Sequence, residues 1–279
     1  MLKQFIRNSL TYSVAGVLAR GVSFLLLPFY TRVLSSKDYG TVDILTVFGN
    51  FVTVTIALEI SQALARNVVD AKDDEERQTY ASTAFWFSVG TYSIFIVISL
   101  FLCPIIARYL LGDVELWHIV PYSLLFIWSS GIVHLLLLLL AYQLRAFANA
   151  VCSLTITVVS LLATIVMVLF CHMGVKGVFA GQAIGNIISG ILAYILARDT
   201  VRLKFDRRKL VQMLRFSAPL VPASVSVIAS LYINRFAVLR LMSLSSVGIL
   251  GVAYRLVSVV PIVMAGIQTA LAPLIYQLS

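Results

Sequence analysis

Long runs of apolar residues, separated by short polar segments, dominate the sequence. A bilayer core about 30 Å thick needs roughly 20 apolar residues for one helix to cross it. Eight runs meet this condition, at residues 10–30, 44–64, 81–106, 119–142, 147–173, 178–196, 216–239 and 247–272. Because the runs lack the alternation of a membrane barrel strand, the pattern predicts an all-α, polytopic membrane helix bundle of about eight transmembrane helices.

The composition agrees with a membrane protein. Of the 279 residues, 60% are hydrophobic and 12% are charged, whereas a soluble domain has about a quarter charged residues. The net charge of +9 is typical of some nucleic-acid-binding proteins, but here the basic residues lie in loops between apolar runs. We therefore expect membrane lipids, and no nucleic acid, as partners. The first run has no clear cleavage site after it, which predicts a retained signal anchor.

The loop cations predict the orientation of the chain. Thirteen Lys and Arg residues lie on the side of the N-terminus and five on the opposite side. Since cytoplasmic loops carry the excess of cations, we expect a multi-pass protein of the cell (inner) membrane with a cytoplasmic N-terminus. The longest charged segment predicts a boundary between halves. The expected units are a six-helix N-terminal half at 1–197, a basic cytoplasmic linker at 198–215 that touches lipid headgroups, and the first two helices of a C-terminal half at 216–279.

Two polar turns share one pattern. The motif R-x-x-S-x-x-x-x-G begins at Arg32 and again at Arg240, and a gapless shift of 208 positions superposes its glycines, Gly40 and Gly248. Six predicted spans separate the copies, so the repeats run in the same direction, as in some secondary transporters. A second half should then also have six spans. We therefore expect the chain to be a fragment or a truncated product, because only two such spans follow the linker.

These two segments resemble a known family. The sequences "RVLSSKDYGTVDIL" at 32–45 and "FSAPLVPASVSVIASLYINRFAVLRLMSLSSVGILGVAYRL" at 216–256 resemble the first helices of the two halves of polysaccharide biosynthesis flippases. These proteins belong to the multidrug, oligosaccharidyl-lipid and polysaccharide exporter superfamily and have about twelve spans. The family often has an Asp before the Arg in the second segment, whereas this chain has Asn234 before Arg235. This departure argues against a charge pair at that position.

The resemblance implies a transporter and not an enzyme. The expected substrate is a polyprenyl-pyrophosphate-linked oligosaccharide, flipped across the cytoplasmic membrane for O-antigen (lipopolysaccharide) or other cell-surface polysaccharide biosynthesis. No cofactor, metal or catalytic residue is expected. Other membrane proteins of polysaccharide assembly are expected partners. Two alternatives remain at this point: a cation-coupled drug exporter of the same superfamily, and a membrane enzyme that would use the acidic run at 70–78 to bind Mg²⁺ and a prenyl diphosphate.

Three arginines inside predicted spans are the candidate substrate-binding residues. Arg20 and Arg255 lie near the midplane, on the order of 12 to 15 Å into their spans. Arg235 lies closer to the outer end of span seven, where an interface anchor is the alternative. Inserting an Arg at the bilayer centre costs roughly 2.5 to 3.5 kcal/mol. We therefore expect each of these arginines either to act in transport or to make a structural hydrogen bond between helices. Guanidinium groups bind phosphate oxygens with paired hydrogen bonds, so we expect Arg20 and Arg255 to hold the pyrophosphate.

Polar or small residues also recur at helical spacing in four spans. The stripes are Ser9, Ser13, Gly16, Arg20 and Ser23; Asp43, Thr46, Asn50, Thr53 and Ala57; Ser153, Thr157, Ser160 and Thr164; and Gly177, Gly181, Gly185, Ser189, Ala193 and Ala197. The first three predict a wet lumen, with polar helix packing as the alternative. The fourth predicts close helix packing.

Two acids are candidates for ion coupling. Glu59 lies inside span two, and Asp43 lies at its outer mouth. Acids within a membrane span are rare and are often functional, and a resemblance to cation-coupled exporters allows a proton or sodium site. For Glu59, an ordinary ion pair with Arg66 is the expected explanation, and ion coupling is the alternative.

Overall fold

The computed structural model describes residues 33–143 and 145–257, without the side chain of Val69. The first predicted span, with its candidate Arg20, and the end of the eighth lie outside these residues. The long helices are α1 (Ser36–Ile56), α2 (Ile60–Asp70), α3 (Asp74–Phe101), α4 (Val120–Tyr142), α5 (Ala146–Ile165), α6 (Gly174–Ala197), α7 (Arg207–Ser217), α8 (Val221–Leu241) and α9 (Leu244–Val257). Shorter helical segments are Cys103–Ile106, Ala107–Leu111, Val114–Ile119, Val166–Phe170 and Ala218–Leu220.

The predicted all-α membrane bundle is confirmed. Six helical stretches among the described residues are long and apolar enough to cross a membrane. They run over Ser36–Ile56, Asp74–Phe101, Val114–Tyr142, Ala146–Phe170, Gly174–Ala197 and Arg207–Leu241, and α9 is a shorter apolar helix. The chain is therefore a multi-pass helical bundle, and the predicted spans three to seven each correspond to one of these stretches.

The second span differs from its prediction at both ends. Helix α1 begins at Ser36, two turns before the predicted start, because Ser35 and Asp38 form a capping box. The Asp38 amide donates to Ser35 Oγ, and the Ser35 amide donates to Asp38 Oδ2, both at 3.1 Å. The helix then breaks where Leu58 and Glu59 have φ of 49° and 53°. These positive values are unusual for residues with side chains, so the predicted single helix at 44–64 is wrong.

Helices α5 and α6 pack closely through the small-residue stripe of α6. A Cβ on Gly181 would overlap Thr164 Oγ1, and a Cβ on Gly185 would overlap Ser160 Oγ. Ser189 Oγ also donates to a backbone oxygen of α5 at 2.8 Å. The packing predicted for α6 is confirmed. The lumen predicted along α5 is wrong at Ser160 and Thr164, because both side chains face α6.

The basic segment between α6 and α8 is held against α3 and is partly helical. Asp206 caps α7 by accepting from the amides of Arg208 and Lys209. Upstream of this cap, Trp86 Nε1 donates to the Arg202 carbonyl at 2.9 Å. Two further bonds join the segment to α3, from Arg202 N to Ser82 Oγ and from Asp206 N to Thr83 Oγ1. These contacts fix the start of α7, and therefore of α8, on the preceding helices.

The two repeat copies meet in a reciprocal contact. Helices α1 and α9 begin at Ser36 and Leu244, which are 208 positions apart, the shift that superposes the repeats. A Cβ on Gly40 would overlap the carbonyl oxygen of Leu244, and a Cβ on Gly248 would overlap that of Ser36. Equivalent residues thus make equivalent contacts, as expected around a local two-fold axis. The absence of both side chains lets α1 and α9 approach backbone to backbone.

Candidate functional site

Asp43 of α1 and Arg235 of α8 form an ion pair. Arg235 Nε donates to Asp43 Oδ2 at 2.6 Å, with side-chain exposures of 9% and 13%. This is the least exposed ion pair among the residues that the structure describes. Two expectations for Arg235 are therefore wrong. It is not an interface anchor, because it is buried, and a charge pair does occur, because α1 supplies the Asp.

Aromatic rings enclose the guanidinium of Arg235. Its Cζ lies 4.9 Å from the ring centre of Tyr232 and 4.5 Å from that of Tyr254. Both hydroxyls accept hydrogen bonds from amide side chains: Asn50 Nδ2 donates to Tyr232 at 3.3 Å, and Asn234 Nδ2 donates to Tyr254. Tyr232 of α8 is thereby held by α1, and Tyr254 of α9 is held by α8. A guanidinium between two rings is stabilised as a cation and keeps a defined plane.

Arg255 of α9 brings a second guanidinium to the same region. Its Cζ lies 5.0 Å from the ring centre of Tyr39 on α1. The approach of α1 to α9 depends on Gly251, where a Cβ would lie 3.2 Å from the carboxyl carbon of Asp43 and 3.4 Å from Tyr39. We call Asp43, Arg235, Arg255 and their tyrosines Tyr39, Tyr232 and Tyr254 the junction cluster. Its two guanidiniums and one carboxylate leave a formal charge of +1.

An apolar cavity adjoins this cluster. It has a volume of about 350 Å³ and lies between α1 and α8. Tyr232 lines the cavity and also contacts Arg235 in the cluster. The rest of its lining is aliphatic or aromatic, with Phe48 and Phe51 from α1 and Ile228 and Phe236 from α8. A cationic cluster beside an apolar cavity can bind a ligand that has an anionic group next to a hydrocarbon chain.

The two candidate ion-coupling acids lie far apart. Glu59 stands at the break after α1, sixteen residues beyond Asp43, which is about 24 Å at 1.5 Å per residue. The expected pair of Glu59 with Arg66 is wrong, since Arg66 Nε lies 3.8 Å from Asp70. Among the described residues, no ion pair includes the Glu59 carboxylate.

The acidic run at 70–78 serves as a cap and as a set of ion pairs. Asp73 Oδ1 accepts from the Glu76 amide at 2.7 Å at the start of α3. Glu75 pairs with Lys204 at 2.7 Å, and Glu76 pairs with Lys209 at 3.3 Å. No group of three or more metal-ligating side chains occurs in the described residues. The run thus joins α3 to the basic segment. This structural role explains the acidic run, which was the one feature that suggested a membrane enzyme.

The chain matches a sequence profile of the family described as "Polysaccharide biosynthesis protein" over residues 5–279. A comparison with curated proteins finds no significant match.

Solved structures share the fold. A crystal structure of MATE in complex with MaD3S is 19% identical, with a TM-score of 0.69 over 91% of this chain and 64% of that chain. A MOP superfamily transporter from Pyrococcus furiosus, described as having a binding pocket of reverse polarity, is 17% identical, with a TM-score of 0.66 over 89% and 62%. An outward-facing multidrug resistance MATE family transporter is also 17% identical, with a TM-score of 0.64 over 89% and 62%. The chain therefore spans less than two thirds of the length of these proteins.

Proposed function

We propose that the chain, which belongs to the polysaccharide biosynthesis protein family, is a membrane transporter of the MOP superfamily that flips polyprenyl-pyrophosphate-linked oligosaccharide across the cytoplasmic membrane. The observation that carries this proposal is the junction cluster. It places two guanidiniums at the meeting point of α1, α8 and α9, beside an apolar cavity. A pyrophosphate with a polyprenyl tail has the matching chemistry, an anion joined to a hydrocarbon.

The diphosphate would bind to Arg235 and Arg255. Asp43 engages Arg235 through Nε, and the Nη1 contact to the Leu231 carbonyl is long, at 3.4 Å. The guanidinium therefore keeps terminal N–H groups for phosphate oxygens, which it binds in pairs. Arg255, on the next helix, adds a second positive charge beside Tyr39. We expect Arg20, which lies outside the described residues, to complete the site.

The apolar cavity would receive the first isoprene units of the lipid. Its lining offers almost no polar surface, so it suits hydrocarbon and not sugar. The oligosaccharide would then extend from the diphosphate away from Phe48 and Phe236. This arrangement keeps the tail in an apolar environment while the charged group moves.

Substrate binding would weaken the contact between α1 and α8. A diphosphate on the terminal N–H groups of Arg235 would share the charge of that guanidinium with the Asp43 carboxylate, because both are anions. The ion pair that joins the two helices would then be weaker. Asp43 would thus couple binding to movement, and Glu59, at the helix break, is the second candidate for ion coupling.

Cells that depend on the protein for a surface polysaccharide provide the test. We expect Arg235→Ala and Arg255→Ala to abolish surface polysaccharide and to raise the cytoplasmic-side pool of lipid-linked oligosaccharide. Arg240→Ala is the matched control, because Arg240 is an exposed cation at the end of α8, outside the junction cluster, that donates a hydrogen bond to the Tyr109 carbonyl. Unchanged export in both cluster variants contradicts the proposal. A changed susceptibility to drug cations with normal export would support the drug-exporter alternative.

A further inference from the structure

A second cationic site lies at the other end of the described bundle. A cavity of about 420 Å³ is enclosed by the end of α2, the turn before α3 and the helix α7. Its basic lining residues are Arg66, Lys72 and Arg215. The cavity is far from the junction cluster, since Arg66 lies beyond the break that ends α1. The pocket is therefore separate from the site proposed for transport.

The cations of this pocket are incompletely neutralised. Glu76 accepts the Lys72 amide at 3.0 Å and an ammonium from α7 at 3.3 Å, so its carboxylate is already engaged. Asp70 lies 3.8 Å from Arg66, and both side chains are more than half exposed, so the pair is weak. Within the described part of the chain, no carboxylate lies within ion-pair distance of the Lys72 ammonium or the Arg215 guanidinium.

Hydrogen bonds and a ring fix the shape of the pocket. Tyr80 donates to Gln212 Oε1 at 3.0 Å, and Gln212 Nε2 donates to Asn67 Oδ1 at 3.4 Å. This chain of polar groups joins α2, α3 and α7. The guanidinium of Arg66 lies 4.7 Å from the ring centre of Phe216, at the end of α7. A guanidinium held beside a ring can bind a phosphate with little further loss of side-chain entropy.

The surroundings indicate a membrane surface. Leu203, Phe205 and Val211, in and next to α7, are 86%, 56% and 51% exposed. An amphipathic helix with exposed apolar residues and several cations lies in the interface between lipid and water. Basic pockets between helices on the cytoplasmic side bind phosphorylated lipid headgroups, and this is the side that the excess of cations predicts to be cytoplasmic.

We propose that this pocket holds the phosphate of an anionic phospholipid headgroup, which bridges Arg66 and Lys72 on one side and Arg215 of α7 on the other. The acyl chains would lie along the exposed apolar residues next to α7. The bound lipid would link α7 to α2 and so fasten the segment that joins the two repeat copies. The proposal needs only the membrane location of the protein, and it holds whether or not the flipped substrate is a lipid-linked oligosaccharide.

Native mass spectrometry of the detergent-purified protein tests the proposal. In detergent there is no anionic bilayer to attract all the basic side chains of the protein, so the lipid that stays bound reports on specific sites. We expect phosphatidylglycerol to bind and phosphatidylcholine not to bind. The triple variant Arg66→Ala, Lys72→Ala, Arg215→Ala should lose at least about tenfold in affinity, since each basic side chain near an anionic headgroup contributes about a factor of five. Millimolar inorganic phosphate should leave the lipid bound, because phosphate lacks the acyl contacts.

The matched control removes three exposed cations of the same segment, Arg198, Arg207 and Arg208, as alanine variants. We expect it to bind phosphatidylglycerol as the wild type does. Equal losses in the two triple variants would overturn the proposal, and displacement of the lipid by inorganic phosphate would show that a soluble anion is the ligand instead. If the pocket variant fails to fold, Arg215→Gln alone should still lower the affinity, and an unchanged affinity there would also contradict the site.

Discussion

Asp43 and Arg235 are 192 positions apart in the sequence, and their carboxylate oxygen and guanidinium nitrogen are 2.6 Å apart in the fold. The pair connects the first repeat copy to the helix that opens the second. It lies among tyrosine rings and is nearly excluded from solvent. Because the dielectric constant is low in such surroundings, neither charge is easily left without the other.

We expect single removals of this pair to cost more than the double removal. Asp43→Asn or Arg235→Met should each destabilise the protein by about 3 to 5 kcal/mol, because a buried charge loses its partner. The double variant should recover a large part of this loss. Denaturant unfolding of the purified protein in detergent measures the three free energies. Additive effects would show that the two side chains do not interact.

The reciprocal glycine contact gives a second prediction. Gly40→Ala and Gly248→Ala should each destabilise by about 1 to 3 kcal/mol, because the added methyl meets a backbone oxygen that cannot move aside without separating α1 and α9. Gly90→Ala is the control. A Cβ there meets nothing within 4 Å, so the alanine should be neutral or should stabilise by about 0.5 to 1 kcal/mol through its higher helix propensity. Equal melting temperatures of all three variants would contradict the close contact between α1 and α9.

The loop before α4 gives a prediction about pH. The hydrogen bond from Lys37, at 2.9 Å, holds the pKa of Asp113 below its ordinary value. A lowered folded-state pKa means that the pair stabilises the protein above the unfolded pKa, about 3.9, and that this stabilisation is lost as the pH falls through the folded value. Because both side chains are about a third or more exposed, the contribution should stay below about 1 kcal/mol.

Comparison of the wild type with Asp113→Asn in thermal unfolding checks this expectation. The variant should melt at a lower temperature than the wild type at pH 7, and the two should converge as the pH falls below the unfolded pKa of Asp113. High salt should reduce the difference at pH 7, since the pair is exposed to ions. A difference that persists at low pH would show that Asp113 acts through its shape and not through its charge.

The helix break after α1 provides a fourth prediction. Glu59 has φ of 53° and ψ of 29°, a left-handed conformation that costs a residue with a side chain about 1 to 2 kcal/mol. Glu59→Gly should therefore be more stable than Glu59→Ala by about 1 kcal/mol, and thermal unfolding of the two variants measures the difference. In an ordinary α-helix the order is reversed, so a more stable alanine variant would show that the break does not exist.

The sequence predicted the bundle and the small-residue packing of α6 because both depend on local periodicity. The repeated motif, at a shift of 208 positions, is also visible without coordinates. It did not predict that Gly40 and Gly248 would touch. A repeat tells which positions are equivalent, but a contact between them depends on how α1 and α9 are arranged in space.

The junction cluster was predicted only in part. Arg235, Arg255 and Asp43 were candidates because charges inside apolar runs are costly. The pairing of Asp43 with Arg235 was missed. The residue before Arg235 is Asn234 and not the Asp that the family often has, which argued against a charge pair, but the acidic partner comes from another helix. The tyrosines were missed as well. The spacing of Tyr232 and Arg235, one helical turn, is a signal that could have found one of them.

Flipping by the purified protein in liposomes measures the proposed activity itself. The purified protein is placed in liposomes with a fluorescent polyprenyl-pyrophosphate-linked oligosaccharide, and the fraction accessible to an externally added reagent is followed over time. We expect the wild type and Arg240→Ala to expose the inner-leaflet substrate, and Arg235→Ala and Arg255→Ala not to do so, although all four proteins remain folded. Equal flipping by the cluster variants and the wild type would contradict the claim that the junction cluster carries the substrate.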